Sequence, residues 1–134
     1  RIDILIEKIE LVLGVEPTLL IFSDNQTCQY YGHEFPQTDN EEMSGLCVKS
    51  HSIRKTIVRD ELRYASLMPG GEQERLYGIL KKKKIQVVVP ITKEEAGNRS
   101  LSGAIILGDK AQSGYSVEEI TFLEMLTPQL PDYL

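Results

Sequence analysis

The chain contains no tryptophan and only two cysteines, and none of its apolar runs approaches the roughly 20 residues needed to cross a bilayer. The two cysteines are too few for a disulfide scaffold and form no Cys-x-x-Cys pair. No signal peptide opens the chain. We therefore expect a cytoplasmic domain with reduced thiols and no direct membrane contact, from a parent protein that is either soluble or membrane-anchored.

Basic residues are also fewer than acidic ones: the chain has 15 Lys and Arg and 20 Asp and Glu, for a net charge of -5. This balance argues against a nucleic-acid partner, since phosphate backbones repel an acidic surface. Hydrophobic residues make up 41% and charged residues 26%, as in ordinary globular domains. We treat residues 1–134 as a single domain. Since the chain starts at Arg1 within an amphipathic pattern and without an initiating Met, we expect a fragment of a larger protein.

Hydrophobic periodicity predicts a mixed series of helices and strands before residue 85. Apolar residues at helical spacing predict a first helix over Ile2–Leu13, and Gly14 can supply its C-terminal cap. The segments that follow predict hairpin strands over Thr18–Ser23 and Thr27–Gly32, a helix from Glu41 to about Ile53, an edge strand over Lys55–Arg59, and a helix from Glu72 to about Lys82.

Two continuous apolar strands are predicted in the last third, Gln86–Ile91 and Ser102–Leu107, with a polar hairpin loop over Thr92–Leu101 between them. Strands that are apolar on both faces must be covered on both faces. We therefore predict an α+β fold, a three-layer α/β/α sandwich around a central antiparallel sheet of five to six strands. The terminal helices would cover one face and the middle helices the other, and loops beside the middle helices would frame a cavity.

The last helix has the clearest start signal. Ser116 can cap it, and Glu119 three residues later can complete a capping box. Pro128 lacks the N–H that a continuing helix would need, so we expect this helix to end near Thr127.

Several motifs between Lys81 and Leu126 resemble the C-terminal half of GAF domains. They are Pro90 near the end of a strand, Leu107-Gly108 at the end of the next, the Lys110–Ser116 loop, the acidic pair Glu118-Glu119, and Phe122-Leu123 in the last helix. The Arg59-Asp60-Glu61-Leu62 segment is similar to the same domains. The variant resembles the GAF domains that precede the kinase core in bacterial sensor histidine kinases. The resemblance implies a GAF-like (PAS/profilin-like) fold and a regulatory domain that is not itself an enzyme.

A ligand, if one binds, is expected between the sheet and the middle helices, in a pocket with apolar walls and a few polar groups. The polar candidates are Tyr30, His51 and Tyr64, and the wall candidates are Cys47, Val88 and Pro90. A core ring with a satisfied hydroxyl is the alternative for Tyr30. The ligand would be an unidentified small molecule, and no resident cofactor is predicted.

The other reactive side chains favour structural roles. His33 is expected to be solvated in a loop, and His51 to be a cation at a helix end rather than a haem ligand. No set of His, Cys, Asp and Glu has metal-site spacing, so no metal is predicted. Lys81–Lys84 is interpreted as a solvated helix end rather than an anion site. Cys28 and Cys47 would permit the thiolate chemistry of GAF-like methionine sulfoxide reductases, but burial as small hydrophobes is favoured.

Three functional hypotheses follow. In the first, a ligand or a neighbouring domain's signal shifts the packing of the terminal helices and so biases an output domain. In the second, the pocket is filled and the domain is a dimerisation and spacer module. The third is the thiol enzyme. A homodimer through Ile2–Leu13 and Val117–Leu126 is expected, because these helices carry more apolar surface than one sheet face can cover.

Overall fold

A computed structural model describes residues 2–22, 28–34, 55–63, 72–110 and 114–133 of the chain. These ranges contain helices α1 (Ile2–Leu13), α2 (Glu72–Lys82) and α3 (Val117–Leu126), strands β1 (Thr18–Phe22), β2 (Cys28–Gly32), β3 (Ile57–Val58), β4 (Ile85–Glu95) and β5 (Asn98–Gly108), a first 3-10 helix (Arg59–Arg63) and a C-terminal 3-10 helix (Thr127–Tyr133). The helix predicted from Glu41 to Ile53 lies outside the described residues.

The strands form one antiparallel sheet in the order β2-β1-β5-β4-β3. The two apolar segments of the last third lie side by side, with Val89 opposite Ile105. In the described ranges the sheet therefore has five of the predicted five to six strands. The predicted edge strand over Lys55–Arg59 is confirmed at the edge, but it is limited to Ile57–Val58.

The predicted polar loop over Thr92–Leu101 was wrong, because β4 and β5 continue to pair through this segment. β4 runs to Glu95 and β5 begins at Asn98. Only Ala96 and Gly97 lie between them, with φ values of 51° and 82°, as a two-residue hairpin turn of the primed type requires. Polar, exposed side chains are found here at Lys93, Glu94, Asn98 and Ser100. Hydropathy therefore gives no strand signal in this segment, although its backbone pairs.

Alternate strand residues enter two separate hydrophobic clusters, because successive side chains of a strand point to opposite faces. The α2-face cluster contains Leu20, Ile57, Leu62, Leu76, Leu80, Ile85, Val88, Ala104 and Ile106. The terminal-helix cluster contains Leu5, Ile6, Ile9, Leu13, Leu19, Val87, Val89, Ile91, Ile105, Leu107, Leu123 and Leu130. Each fully buried Leu or Ile stabilises the fold by about 1.5–3 kcal/mol relative to exposure. The predicted sandwich is confirmed, with α1 and α3 on one face and α2 on the other.

Two predicted helix boundaries are confirmed in atomic detail. Gly14 has a φ of +75°, and its N–H donates to the Glu10 carbonyl oxygen at 2.7 Å, as expected of a C-terminal cap. At the start of α3, the Glu119 N–H donates to Ser116 Oγ at 3.1 Å, and the Ser116 N–H donates to the Glu119 carboxylate at 2.8 Å. Both bonds of the predicted capping box are present.

The C-terminal end of α3 also lies where proline chemistry predicts. The helix ends at Leu126, with Thr127 as its cap. The chain then continues as the C-terminal 3-10 helix, which accommodates Pro128 and brings Leu130 into the terminal-helix cluster with no exposed surface.

Candidate functional site

Two predicted pocket residues, Tyr30 and Pro90, lie in one row across the sheet. Tyr30 of β2 pairs with Leu20 of β1, Leu20 with Ala104 of β5, and Ala104 with Pro90 of β4. Paired residues share a face, and Leu20 and Ala104 place this row on the α2 face. Because Ala104 carries only a methyl group, the middle of the row leaves more room above the sheet than a larger side chain would.

Tyr30 marks the open end of this row. Its side chain is 37% exposed, whereas Leu20 and Ala104 have no exposed surface. The alternative that Tyr30 is a core ring was therefore wrong. Among the residues that the structure describes, β2 lies at an edge of the sheet. Pro90, at the other end of the row, is half-buried.

Val88, the third predicted pocket residue within the described ranges, lies in the neighbouring row. It pairs with Ile57 of β3 and Ile106 of β5, and it has no exposed surface. Leu76 and Leu80 of α2 belong to the same cluster. This packing fills the α2 face on the β3 side, around Val88.

The other predicted pocket residues, Cys47, His51 and Tyr64, lie outside the described residues. The side chain of Cys28 also lies outside them, although the Cys28 backbone in β2 pairs with Phe22 of β1. Both the full pocket and the thiol hypothesis, which needs Cys28 and Cys47 close together, therefore stay predictions.

His33 follows β2 and its side chain is 49% exposed, which confirms the predicted solvated position. Its Nδ1 lies 4.0 Å from a carboxylate oxygen of Glu16. Within the described ranges, no group of three or more His, Cys, Asp and Glu side chains could hold a metal ion. None of the helices in those ranges combines the length and the apolar character needed to cross a membrane.

The lysine run is only partly solvated. Lys81, Lys82 and Lys84 are exposed, but Lys83 is only 7% exposed, so the prediction of a fully solvated run was wrong for this residue. α2 ends at Lys82, and the turn to β4 puts Lys84 in the left-handed region at φ 58°. That turn directs Lys83 back into the protein beside a surface cleft of about 280 Å³.

Sequence reasoning missed a polar connection where β5 ends, which joins the largely buried Arg59 guanidinium to the half-exposed Asp109 carboxylate. The Arg59 guanidinium donates to the Asp109 carboxylate at 2.5 Å and to the Ile85 carbonyl oxygen at 3.3 Å, and the Arg59 side chain is only 12% exposed. Burial by itself would lower the pKa of Arg59, but the hydrogen bonds and charges of Asp109 and Asp60 raise it above its ordinary value. The resemblance of Arg59–Leu62 to GAF domains pointed to this segment. It could not identify Asp109 as the partner of Arg59, because the two residues are 50 positions apart in the sequence.

The connection continues from Asp109 to the start of α3. The Lys110 backbone N–H donates to Oε1 of Gln86 at 3.2 Å, and Gln86 is only 8% exposed. The Lys110 ammonium donates to the Glu119 carboxylate. Mainly this bond, together with the hydrogen bond from the Ser116 N–H, lowers the pKa of Glu119 despite partial burial. One carboxylate therefore serves both the ion pair and the helix cap.

Tyr115, just before α3, contacts the end of β5 and Lys110. Its hydroxyl donates to the Gly108 carbonyl oxygen at 2.7 Å, and the Lys110 ammonium lies 5.4 Å from its ring centroid. Burial, helped by the negative charges of Glu119 and Asp109, raises the pKa of Tyr115 well above its usual range.

Comparison with known proteins identifies the fold. Neither a protein-family model nor a curated protein matches the chain. A red/green cyanobacteriochrome in its red-light-absorbing state is similar in structure, with a TM-score of 0.58, 15% identity, and coverage of 98% of this chain and 90% of that chain. A far-red cyanobacteriochrome photoreceptor has a TM-score of 0.57 and 14% identity, with coverage of 98% and 82%.

A domain assigned to a two-component sensor histidine kinase protein of Sinorhizobium meliloti 1021 is also similar. Its TM-score is 0.52 at 12% identity, with 98% of this chain and 87% of that chain covered. Such low identities define a shared fold and no shared chemistry. The chain has the fold of a GAF domain, as the motifs of its last third predict.

Proposed function

We propose that this chain is a cytoplasmic regulatory domain of a bacterial signalling protein, with a sensor histidine kinase as its parent. The observation that supports this role most is the way β4 divides its residues between two faces. Val88 and Pro90 point to the α2 face, whereas Val87 and Val89 pack in the terminal-helix cluster. A ligand on the α2 face would therefore touch the same strands that carry the terminal helices on their other side.

The signal would pass as a population shift between two packings of the terminal helices. Protein interiors are close-packed, so a displaced strand cannot move without its neighbours on both faces. The ligand must bind one packing more tightly than the other, because a ligand with equal affinity for both shifts nothing. The terminal helices would then pass the change to the neighbouring domains of the parent protein.

The proposed ligand is a small molecule with an apolar body and at least one polar group. Tyr30 offers a hydroxyl at the open end of its row, and Ala104 and Pro90 offer apolar surface beside it. The predicted residues His51 and Tyr64 would add polar groups, with Cys47 as further wall.

The structural neighbours favour a sensory role. Two of them are named as cyanobacteriochromes, one of these as a photoreceptor, and the third as a sensor histidine kinase domain. From these neighbours we take only the sensory role and the kinase parent for this chain. We propose that the domain itself binds a ligand and catalyses no reaction.

A thermal-shift screen of cyclic nucleotides, amino acids and other metabolites tests the ligand proposal. A ligand at about 100 times its Kd should stabilise the native state by about 2.7 kcal/mol and raise the melting temperature accordingly. If no compound in the screen raises the melting temperature and the interior of the α2 face is filled, the sensing role is contradicted.

A pair of tyrosine variants makes this screen specific for the proposed site. Tyr30→Phe should weaken the shift given by a polar ligand, because it removes the hydroxyl at the open end of the row. Tyr31→Phe is the matched control, since Tyr31 pairs with Leu19 of the terminal-helix cluster and therefore points to the opposite face. Equal losses in the two variants would place the ligand elsewhere.

A second candidate function is a dimerisation and spacer module. It is favoured by large apolar side chains that remain exposed on α1 and α3 after both helices have packed on the sheet: Ile4 (58%), Leu11 (86%), Val12 (52%), Val117 (77%) and Met125 (68%). A homodimer through these helices would cover them. The two functions are compatible, since a dimer interface on the terminal helices is what a change in their packing would alter.

A further inference from the structure

The polar connection at the end of β5 joins elements that belong to opposite faces of the sheet. The first 3-10 helix is anchored on the α2 face, because Leu62 is buried in the α2-face cluster. α3 is anchored on the other face through Leu123. Arg59, the first residue of the 3-10 helix, and Glu119, in the first turn of α3, are the two ends of this connection.

The connection consists of two side-chain ion pairs, Arg59 to Asp109 and Lys110 to Glu119, joined by the peptide bond between Asp109 and Lys110. Arg59 bonds the Asp109 carboxylate, and the Asp109 N–H donates to the Lys84 carbonyl oxygen at 3.2 Å. The next residue, Lys110, is fixed through its N–H by the buried Gln86. The Lys110 backbone is therefore held in place, and its side chain extends from there to the Glu119 carboxylate.

The contact between Lys110 and Glu119 is the one that reaches α3. Glu119 uses one carboxylate oxygen for Lys110 and the other for the Ser116 N–H. Lys110 thus orients the same carboxylate that caps α3, and the orphan N–H groups of a helix start depend on such caps. A shift of Asp109 and Lys110 would therefore change the cap of α3.

We propose that Arg59, Asp109 and Lys110 form a mechanical coupling that carries movement of the first 3-10 helix to the N-terminal turn of α3. The coupling would be one way in which the proposed regulatory domain passes a change to α3, so its biological role rests on that proposed function. It supplies a route around the edge of the sheet in addition to packing through the strands. Arg59 is a positioning residue in this scheme, because its bond to Asp109 reaches α3 through Lys110. A second, direct link between this segment and α3, from the Thr56 hydroxyl to the Glu124 carboxylate at 2.7 Å, does not involve the Arg59 side chain.

A double-mutant cycle between Arg59 and Glu119 tests the coupling in the ligand-free domain, so its outcome does not depend on whether a ligand is found. We would measure urea unfolding of Arg59→Gln, Glu119→Gln and the double variant. The coupling predicts that the folding equilibrium constant of the double variant exceeds, by about threefold or more, the value expected from independent effects. Strict additivity would overturn the proposal.

Amide hydrogen exchange by NMR gives the second readout. Arg59→Gln should speed exchange of the Glu119 amide, which the cap protects, by about threefold or more. Arg75→Gln is the matched control, because Arg75 lies exposed on α2 and the same change there should leave that amide unaffected. If the exchange rate of the Glu119 amide is unchanged in Arg59→Gln, the Arg59–Asp109 ion pair is only a local contact and the proposal is overturned. If Arg59→Gln does not fold, Asp109→Asn breaks the same link and is judged by the same two results.

Discussion

Gly103 of β5 lies directly against the backbone of Leu20 in β1. A Cβ atom at Gly103 would stand 2.0 Å from the Leu20 carbonyl oxygen and 3.2 Å from the Cα atom of Ile21, far inside van der Waals contact. The absence of a side chain is therefore what lets the two central strands pair next to the row that contains Ala104. The candidate site is built on this close approach.

We predict that Gly103→Ala destabilises the domain by about 1–3 kcal/mol or more, since the backbone of a central strand must move to admit the methyl group. Urea unfolding measures the change. Gly78→Ala is the matched control, because a Cβ atom there meets nothing within 4 Å and the residue lies inside α2. That variant should be more stable than the parent by about 0.5–1 kcal/mol. Equal effects of both substitutions would contradict the geometry.

Ser116 should contribute measurably to stability through the capping box. Ser116→Ala leaves the Glu119 N–H without its side-chain acceptor and should cost about 0.5–2 kcal/mol of unfolding free energy. Thr121→Ala on the exposed side of the same helix is the control, and it should be neutral or slightly stabilising because Ala has the higher helix propensity. A neutral Ser116→Ala would show that the cap does not hold α3.

The pKa of Glu119 gives a prediction with a defined sign. Because the pKa is lowered in the folded state, the ionised carboxylate stabilises the fold above its ordinary pKa of 4.5. This stabilisation is lost as the pH falls through the folded-state pKa, since the unfolded chain takes up the proton first. The stability difference between the parent and Glu119→Gln should therefore be largest near pH 7 and shrink below about pH 4.5.

Urea unfolding at a series of pH values between 7 and 3 checks this prediction. Glu118→Gln removes the same charge from the exposed neighbouring residue and serves as the control, with a smaller loss expected at pH 7. A parent-minus-Glu119→Gln difference that stays constant down to pH 3 would contradict the ion pair with Lys110.

Self-association through the terminal helices is the fourth prediction. Leu11 is 86% exposed on α1, so Leu11→Lys should leave the monomer folded while raising the dimer dissociation constant by about tenfold or more. Asn98→Lys adds the same charge at the β4–β5 hairpin, away from both helices, and should have no such effect. Sedimentation velocity measures both variants. A parent that stays monomeric at high concentration would refute the dimer.

The architecture was predictable because its signals are local. The continuous apolar runs within Gln86–Ile91 and Ser102–Leu107 required cover on two faces. Gly14 and Ser116 marked helix ends through local capping chemistry. The β4–β5 extension was not predictable in this way. Its residues near Thr92 pair through their backbones while their side chains are polar. The hydropathy pattern therefore could not predict this pairing.

The site was less predictable because it depends on contacts between distant segments. Tyr30, Val88 and Pro90 were chosen as candidates for one pocket, and the structure places them on one face of the sheet. The sequence could not say that Val88 would be buried in a packed cluster while Tyr30 stays 37% exposed. The ion pair between Arg59 and Asp109 joins charged residues of a common type, and nothing in either local sequence selects the other as its partner.

Hydrogen–deuterium exchange of the domain with and without the compound that gives the largest thermal shift tests the central claim most directly. The claim is that a ligand on the α2 face alters the helices on the opposite face. It predicts slower exchange in the strands around Tyr30 and Pro90, together with a change in the amides of α1 or α3. Slower exchange confined to the α2 face, with α1 and α3 unaltered at saturating ligand, would contradict it.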